Sequence, residues 1–163
     1  MIKFSDAYAH PEWAGVLYDL LRIRTEQDQH ANISHQCMPT WDQHVAFMDR
    51  KPYYLWFIIL TGEPDTAILD RPIGAISVTT RNEIGIMLHP THRRRGHARQ
   101  AIEHLIQIYP PLPAIPGERP GTFVANISPS NKTSIKLFTG LGAVHIQNTY
   151  QFQEREYGKR NTD

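Results

Sequence analysis

The stretch EIGIMLHPTHRRRGHARQAIEHL, residues 83 to 105, changes character twice along its length. Its apolar first part predicts a buried strand, and its last part repeats apolar residues at helical spacing. Three consecutive arginines and a glycine lie between them. A strand that leads through such a loop into a helix presents unpaired helix amides and the positive end of the helix dipole. The stretch therefore predicts a mixed α/β fold with a site for phosphate or pyrophosphate.

The arginine run is also compatible with roles other than an anion site. A run of like charges is commonly solvated surface, and this alternative stays open for the local sequence. A Walker-type nucleotide loop is excluded because no Gly-Lys-Ser/Thr follows, and the triple-glycine pattern of a dinucleotide-binding turn is also missing. The run is short and has no interleaved aromatic residues, which disfavours nucleic acid as a partner.

The composition is that of an ordinary soluble domain. The chain has 163 residues, of which 40% are hydrophobic and 20% charged, and its formal net charge is +1. This size fits one domain, and the arginines must act locally because the chain has no global positive field. A single cysteine, Cys37, excludes an internal disulfide and any multi-cysteine metal site. The histidines show no paired ligand spacing, so we expect no metal.

No segment of the sequence has the pattern of a membrane or export signal. Residues 1–15 lack the apolar core of a secretory signal. The longest apolar run, YYLWFIIL at 53–60, is far shorter than the roughly 20 residues of a membrane-spanning helix. We therefore expect a cytoplasmic protein without a membrane partner.

Hydrophobic periodicity predicts one domain over residues 1–163, with a tail after about residue 157 that is expected to be disordered. The expected fold class is α/β in the mixed α+β sense, with a mostly antiparallel sheet flanked by helices. Expected strands are 2–6, 53–60, 72–80, 83–89, 122–128 and 143–152, and expected helices are 13–24, 39–50, 98–109 and 130–142.

A second segment, NISPSNKTSIKLFTGLGA at 126–143, narrows the interpretation of the first. Together the two segments resemble the GCN5-related N-acetyltransferase superfamily. The family's acetyl-CoA loop is matched by Arg93-x-x-Gly96-x-Ala98, and its later motif by Asn131-x-x-Ser134-x-x-Leu137-Phe138 followed by Leu141-Gly142-Ala143. The resemblance covers residues 55 to 152 well and the first third of the chain loosely.

The resemblance implies acetyl-CoA as cofactor and a fold in which two central strands, 84–89 and 122–127, splay apart around the pantetheine arm. It implies that the backbone of Ile86, Met87 and Leu88 binds this arm. The pyrophosphate would bind the loop that follows, through Arg93, Arg94, Arg95, Gly96, His97 and Ala98. Asn131 and Ser134 would lie near the arm, although Asn131 is also suited to cap a helix.

The implied chemistry is attack of a neutral primary amine on the thioester, which requires removal of a proton from the amine. Glu83 is the candidate base, and an exposed charge at a strand start is its alternative role. Strand amides near Met87 or Leu88 would stabilise the oxyanion. Phe138 stands where many family members have a tyrosine acid, so Ser134, a water or Tyr150 would protonate the thiolate, or it would leave unprotonated.

The resemblance implies an acceptor pocket built by the first helices and the second to fourth strands, with His35, Trp41, Phe47 and Trp56 as candidate substrate contacts. Aromatic residues at such spacings are more often core residues, so that alternative is open. The acceptor is expected to be an amino sugar, another small amine or a protein N-terminus. A non-catalytic acyl-CoA-binding or nucleic-acid-binding module on the same fold is the alternative function, and the oligomeric state is open between monomer and homodimer.

Overall fold

The structure, a computed structural model, describes residues 2–27, 37–62 and 71–150. Within these ranges the chain forms an α/β fold, which confirms the predicted class. The strands are β1 (Ile2–Asp6), β2 (Tyr53–Thr61), β3 (Arg71–Thr79) and β4 (Ile84–Leu88). The helices are α1 (Trp13–Gln27), α2 (Trp41–Asp49), α3 (His97–Ile108) and α4 (Lys132–Gly140), and a 3-10 turn spans Pro90–His92.

The four strands form one antiparallel sheet in the order β1-β2-β3-β4. This confirms the meander that the closely spaced strands predict. Ile58 opposes Ala75 across β2 and β3, and Ile76 opposes Ile86 across β3 and β4. All four residues are apolar, and helices pack against both faces of the sheet at the two inner strands.

Two core clusters divide the helices between the faces of the sheet. On one face α3 supplies Ala101, Ile102 and Leu105, and Leu137 and Phe138 of α4 pack against the same cluster. On the other face Leu17 and Leu20 of α1 and Met48 of α2 pack against Trp56, Ile58 and Ala75 of the sheet. The side chains of β4 are shared between the clusters, because Ile84 belongs to the first and Met87 packs against the second.

The helix ends follow the local sequence. At α2 the sequence offers Thr40 or Asp42 as the cap. The Thr40 hydroxyl accepts from the Gln43 amide at 3.3 Å while the Gln43 side chain accepts from the Thr40 amide at 2.9 Å, so Thr40 is the cap. The Asn131 side chain caps α4 by accepting from the Ser134 amide at 3.1 Å. Gly142 follows α4 with φ of 90°, as expected for a residue that ends a helix.

Two predicted strands are wrong. Residues 122–128 contain only one bridge, which joins Glu83 to Val124 in parallel, and do not form a regular strand. Residues 143–150 have no regular structure, and residues 151–152 lie outside the described ranges, as does the tail after residue 157. Alternation predicts a strand only where it buries one face, but Val144 and Ile146 are 78% and 74% exposed.

In the described part of the chain, no helix has the length and apolar character needed to cross a membrane.

A substitution at Gly74 tests how closely β3 and β4 approach. A Cβ at this buried residue would lie 3.0 Å from the Leu88 Cα and would overlap the Met87 carbonyl oxygen. We expect Gly74→Ala to lower the free energy of unfolding by about 1–3 kcal/mol, as for other overpacked sites. Gly15→Ala in α1 is the control, because a Cβ there meets nothing within 4 Å. It should stabilise by about 0.5–1 kcal/mol, and urea denaturation measures both; equal effects would contradict the prediction.

Candidate functional site

The loop between β4 and α3 holds its backbone in conformations that suit an anion. The 3-10 turn Pro90–His92 leads into Arg93, and then Arg94 and Gly96 adopt φ of 59° and 80°. Gly96 is the N-cap of α3 and, as a glycine, has no side chain that could cap the helix. The first amides of α3 therefore receive no cap from this residue, and they lie at the positive end of the helix dipole.

The three arginines are not equivalent. Arg93 is partly buried, and its Nε donates to the Leu88 carbonyl oxygen at 3.0 Å. Arg94 and Arg95 are exposed. Arg93 therefore ties the loop to the end of β4, while the other two guanidinium groups lie at the surface, where they can meet an anion in water.

Three histidines accompany the arginines, of which sequence reasoning identified only His97. The rings of His89 and His92 are 6.3 Å apart, and those of His92 and His97 are 6.2 Å apart. Desolvation lowers the pKa of His92, and the nearby charges of Arg95, His97 and His89 lower it further. His92 is therefore neutral at pH 7. In the sequence, the recurrence of histidine in HPTHRRRGH is the only sign that His89 and His92 accompany the arginines.

The edge of β4 that faces away from β3 carries alternate peptide groups. The Ile84 amide donates to the Val124 carbonyl oxygen at 2.8 Å, whereas the Glu83 carbonyl oxygen accepts from the Thr79 amide at 3.0 Å. Because successive peptide groups of a strand point to opposite sides, those of Ile86 and Leu88 face the same side as Ile84. The Met87 peptide groups face β3. The outer edge therefore offers the Ile84 carbonyl, both peptide groups of Ile86 and the Leu88 amide, whereas the Leu88 carbonyl accepts from Arg93.

Residues 122–127 meet this edge at one point. The Val124 amide donates to the Asn82 carbonyl oxygen at 3.0 Å, and the Val124 carbonyl oxygen accepts from Ile84. Within the fully described stretch 71–150, no further backbone hydrogen bond joins β4 to residues 122–127. We call the unbridged interval between the outer edge of β4 and residues 125–127 the cleft. Its closed end is at Val124, and the arginine loop lies at its other end, after Leu88.

Helix α4 is fixed against α3 beside the arginine loop. The Arg99 Nη2 donates to the Gly140 carbonyl oxygen at 3.0 Å, which joins the two helices directly. Asn131 caps α4 through Ser134, so the structural role considered for Asn131 is present. Phe138 packs against the core cluster of α3. The two sequence motifs therefore lie on neighbouring helices, although they are about 30 residues apart in the chain.

Glu83 lies at the closed end of the cleft and is held by the turn before β4. Its carboxylate accepts from the Thr79 hydroxyl at 3.3 Å, and the Arg81 Nε lies 3.9 Å away. The side chain is 29% exposed. Glu83 lies roughly 13 Å along the strand from Met87, at about 3.3 Å per residue. A proton from an amine beside Met87 would reach this carboxylate only through water.

The predicted acceptor residues differ in exposure. Trp41 is 46% exposed and stacks edge-on against Tyr18 at 5.3 Å, and Phe47 is partly buried. Trp56 is only 6% exposed and belongs to the core, so its side chain has little surface for a ligand. His35 lies outside the described residues. Trp41 and Phe47 are thus the predicted acceptor residues with accessible side chains.

Residues 2–27, 37–62 and 71–150 contain no group of three or more His, Cys, Asp or Glu side chains placed to hold a metal ion.

Comparisons with known proteins identify the fold and the family. A family model described as an acetyltransferase (GNAT) domain matches residues 4–144. A solved domain from Methanocaldococcus jannaschii superposes with a TM-score of 0.66 at 21% identity, over 87% of each chain. The Salmonella typhimurium protein yncA, solved with its cofactor acetyl-CoA, gives 0.57 at 20% identity, over 87% of this chain and 78% of that one.

A third similar structure is the phosphinothricin acetyltransferase of Sinorhizobium meliloti in complex with acetyl-CoA. Its TM-score is 0.62 at 16% identity, over 86% of this chain and 74% of that one. No curated protein sequence is significantly similar to this chain. The solved structures thus support the fold, and the family model supports the family.

A substitution at His44 tests the packing between α1 and α2. It is 4% exposed, and its Nε2–H donates to the Ala14 carbonyl oxygen at 3.0 Å, so it is not an accessible base. Burial lowers the pKa of His44, and the bond to Ala14 opposes this shift only in part. Protonation therefore favours the unfolded chain, where the pKa is about 6.5.

We expect the stability that wild type has over His44→Gln to decrease as the pH falls below about 6.5. Above that pH the difference between the two proteins should be constant, because His44 is neutral in both the folded and the unfolded chain. Urea midpoints of the two proteins between pH 5 and 8 measure this. A difference that is independent of pH would show that the burial of His44 does not affect its protonation.

Proposed function

The chain belongs to the acetyltransferase (GNAT) domain family, and on that basis we propose that it transfers an acetyl group from acetyl-CoA to a primary amine. The amine nitrogen attacks the thioester carbon while both substrates are bound, and the carbon–sulfur bond then breaks. Coenzyme A leaves as thiol or thiolate, and the amine proton passes to a base or to water.

The cleft is the observation that carries this proposal. Its β4 side offers the peptide groups of Ile86 and the amide of Leu88 to an extended ligand, and the single bridge at Val124 leaves the rest of this edge unpaired. An extended chain that carries amides, such as the pantetheine arm, can pair with such an edge as a strand would. The arginine loop at the other end would bind the pyrophosphate that follows the pantetheine arm.

The proposed cofactor contacts follow from this orientation. The amides at the start of α3, from Gly96 to Ala98, and the exposed side chains of Arg94 and Arg95 would take the pyrophosphate. Arg93 would act mainly by holding the loop on Leu88. For the oxyanion, the Leu88 amide is the better donor of the two considered, because the Met87 amide faces β3.

Glu83 is the proposed base and would act through water. By the alternation of β4 it shares a face with Met87, which packs towards α1 and α2. This is the face on which the acceptor residues Trp41 and Phe47 lie. Ser134 remains a proposed contact of the cofactor arm and a candidate acid, with its amide engaged by Asn131.

The acceptor is proposed to be an amino sugar, another small amine or a protein N-terminus, bound beside Trp41 and Phe47. We also propose that residues 1–163 act as one acetyltransferase domain in the cytoplasm.

Binding and turnover of acetyl-CoA test the proposal. Calorimetry should show binding, and a thiol-release assay with a panel of primary amines should show turnover. Arg93→Ala should raise the Kd for acetyl-CoA by about 10- to 100-fold, because loss of the charge-assisted hydrogen bond to Leu88 releases the loop that takes the pyrophosphate. Arg22→Ala, which removes an exposed cation of α1, is the control and should leave the Kd unchanged. Binding without turnover of any amine would favour the non-catalytic alternative, and absence of binding would contradict the proposal.

Glu83→Gln tests the base. Glutamine can still accept from Thr79, so the turn before β4 should keep its structure. We expect kcat/KM to fall by about 10²- to 10⁴-fold, as for loss of a general base, with the Kd for acetyl-CoA unchanged. The acidic limb of the pH–rate profile should also change. An unaltered profile and rate would show that the proton leaves by another route.

A further inference from the structure

Asn82 occupies the point where the two walls of the cleft meet. It is fully buried, with 0% exposure, and its φ of 62° lies in the left-handed region. The residue precedes Glu83 in the turn between β3 and β4. A buried polar residue in a strained conformation persists only where its surroundings hold it.

Every conventional hydrogen-bonding group of Asn82 has a partner. Its side-chain amide donates to the Leu112 carbonyl oxygen at 2.9 Å and to the Pro120 carbonyl oxygen at 2.7 Å, and its side-chain oxygen accepts from the Leu112 amide at 2.8 Å. Its backbone amide donates to the Thr79 carbonyl oxygen, and its carbonyl oxygen accepts from Val124, each at 3.0 Å. One residue thus joins the turn before β4, both ends of the loop 112–120 and the start of residues 122–127.

This arrangement fixes where the second wall begins. Residues 122–127 follow a proline-rich loop with no strand partner of their own beyond the Val124 bridge. The loop is held at Leu112 and Pro120 by one side chain, so both of its ends are placed relative to β4. If the Asn82 side chain were removed, the two backbone hydrogen bonds of Val124 to Asn82 and Ile84 would remain, but Asn82 would no longer hold the two ends of the loop.

We propose that Asn82 is a positioning residue that sets the width of the cleft for the pantetheine arm before any ligand binds. This inference rests on the proposed function, because it concerns the same acetyl-CoA site. Asn82 acts through the backbone at Val124, and none of its hydrogen bonds goes to the arginine loop. It therefore affects binding of the pantetheine arm without affecting binding of the nucleotide part.

Asn82→Gly is the informative variant. Glycine accepts the positive φ at no steric cost, so the variant removes the three side-chain hydrogen bonds and keeps the backbone ones. We expect the Kd for acetyl-CoA to rise at least about tenfold, the equivalent of one to two hydrogen bonds. The Kd for adenosine 3′,5′-bisphosphate, which lacks the pantetheine arm, should stay within about twofold of wild type, a change of roughly 0.4 kcal/mol.

Arg119→Ala is the matched control. Arg119 also ties the loop to the turn, because its Nη1 donates to the Thr80 carbonyl oxygen at 3.0 Å, but its other side-chain bond goes to Pro113 and not to Leu112 or Pro120. The proposal expects this variant to keep the wild-type ratio of the two affinities. An equal loss in Arg119→Ala, or a wild-type ratio in Asn82→Gly, would overturn the assignment to Asn82.

A measurement on the wild-type protein tests the role of Asn82 even if a variant fails to fold. Amide hydrogen exchange in the ligand-free protein should show the Leu112 and Val124 amides protected to the level of the core strands. Exchange of these amides at loop rates, with protection only after acetyl-CoA is added, would overturn the proposal. If wild type binds neither acetyl-CoA nor the bisphosphate, the proposed function fails. Protection of the two amides is measured without any ligand, so it tests the Asn82 contacts independently of that function.

Discussion

Two backbone hydrogen bonds at Val124 are the constraint on which the candidate site depends. They join residues 122–127 to β4 at one point and leave the outer peptide groups of Ile86 without a sheet partner. At the other end of β4 the Arg93 guanidinium takes the Leu88 carbonyl oxygen. The open edge is therefore bounded at both ends by groups of the chain itself. A ligand that pairs with this edge must be extended, and its length is limited by these two closures.

The electrostatics of the site are local because the chain as a whole is nearly neutral. Burial and the neighbouring charges of Arg95, His97 and His89 lower the pKa of His92, so His92 adds little charge at pH 7. The positive potential comes from the arginines and the start of α3. A bound pyrophosphate would offset the cations that lower the pKa of His92 and would raise it. An anion bound to the loop would therefore favour protonation of His92.

The sequence predicted elements where one local signal was sufficient. The helical stripe of α3 and the mostly antiparallel sheet follow from local patterns, and the structure has them. The predicted strand at 143–152 failed over its described residues because alternation cannot tell whether a partner strand is present. Asn82 was missed because its partners, Leu112 and Pro120, lie 30 and 38 residues away. Only the fold brings those groups together.

Phe138 stands where many family members have a tyrosine, and its packing explains this difference. The ring is partly buried against the core cluster of α3, an environment in which a hydroxyl without a partner would be costly. The residue therefore contributes to holding α4 beside α3, and it cannot donate a proton. A thiol has a pKa near 8.5, so the thiolate is a tolerable leaving group without an acid. In the proposed reaction the demand on the protein then falls on removal of the amine proton, and the geometry of the cleft matters more than a second proton donor.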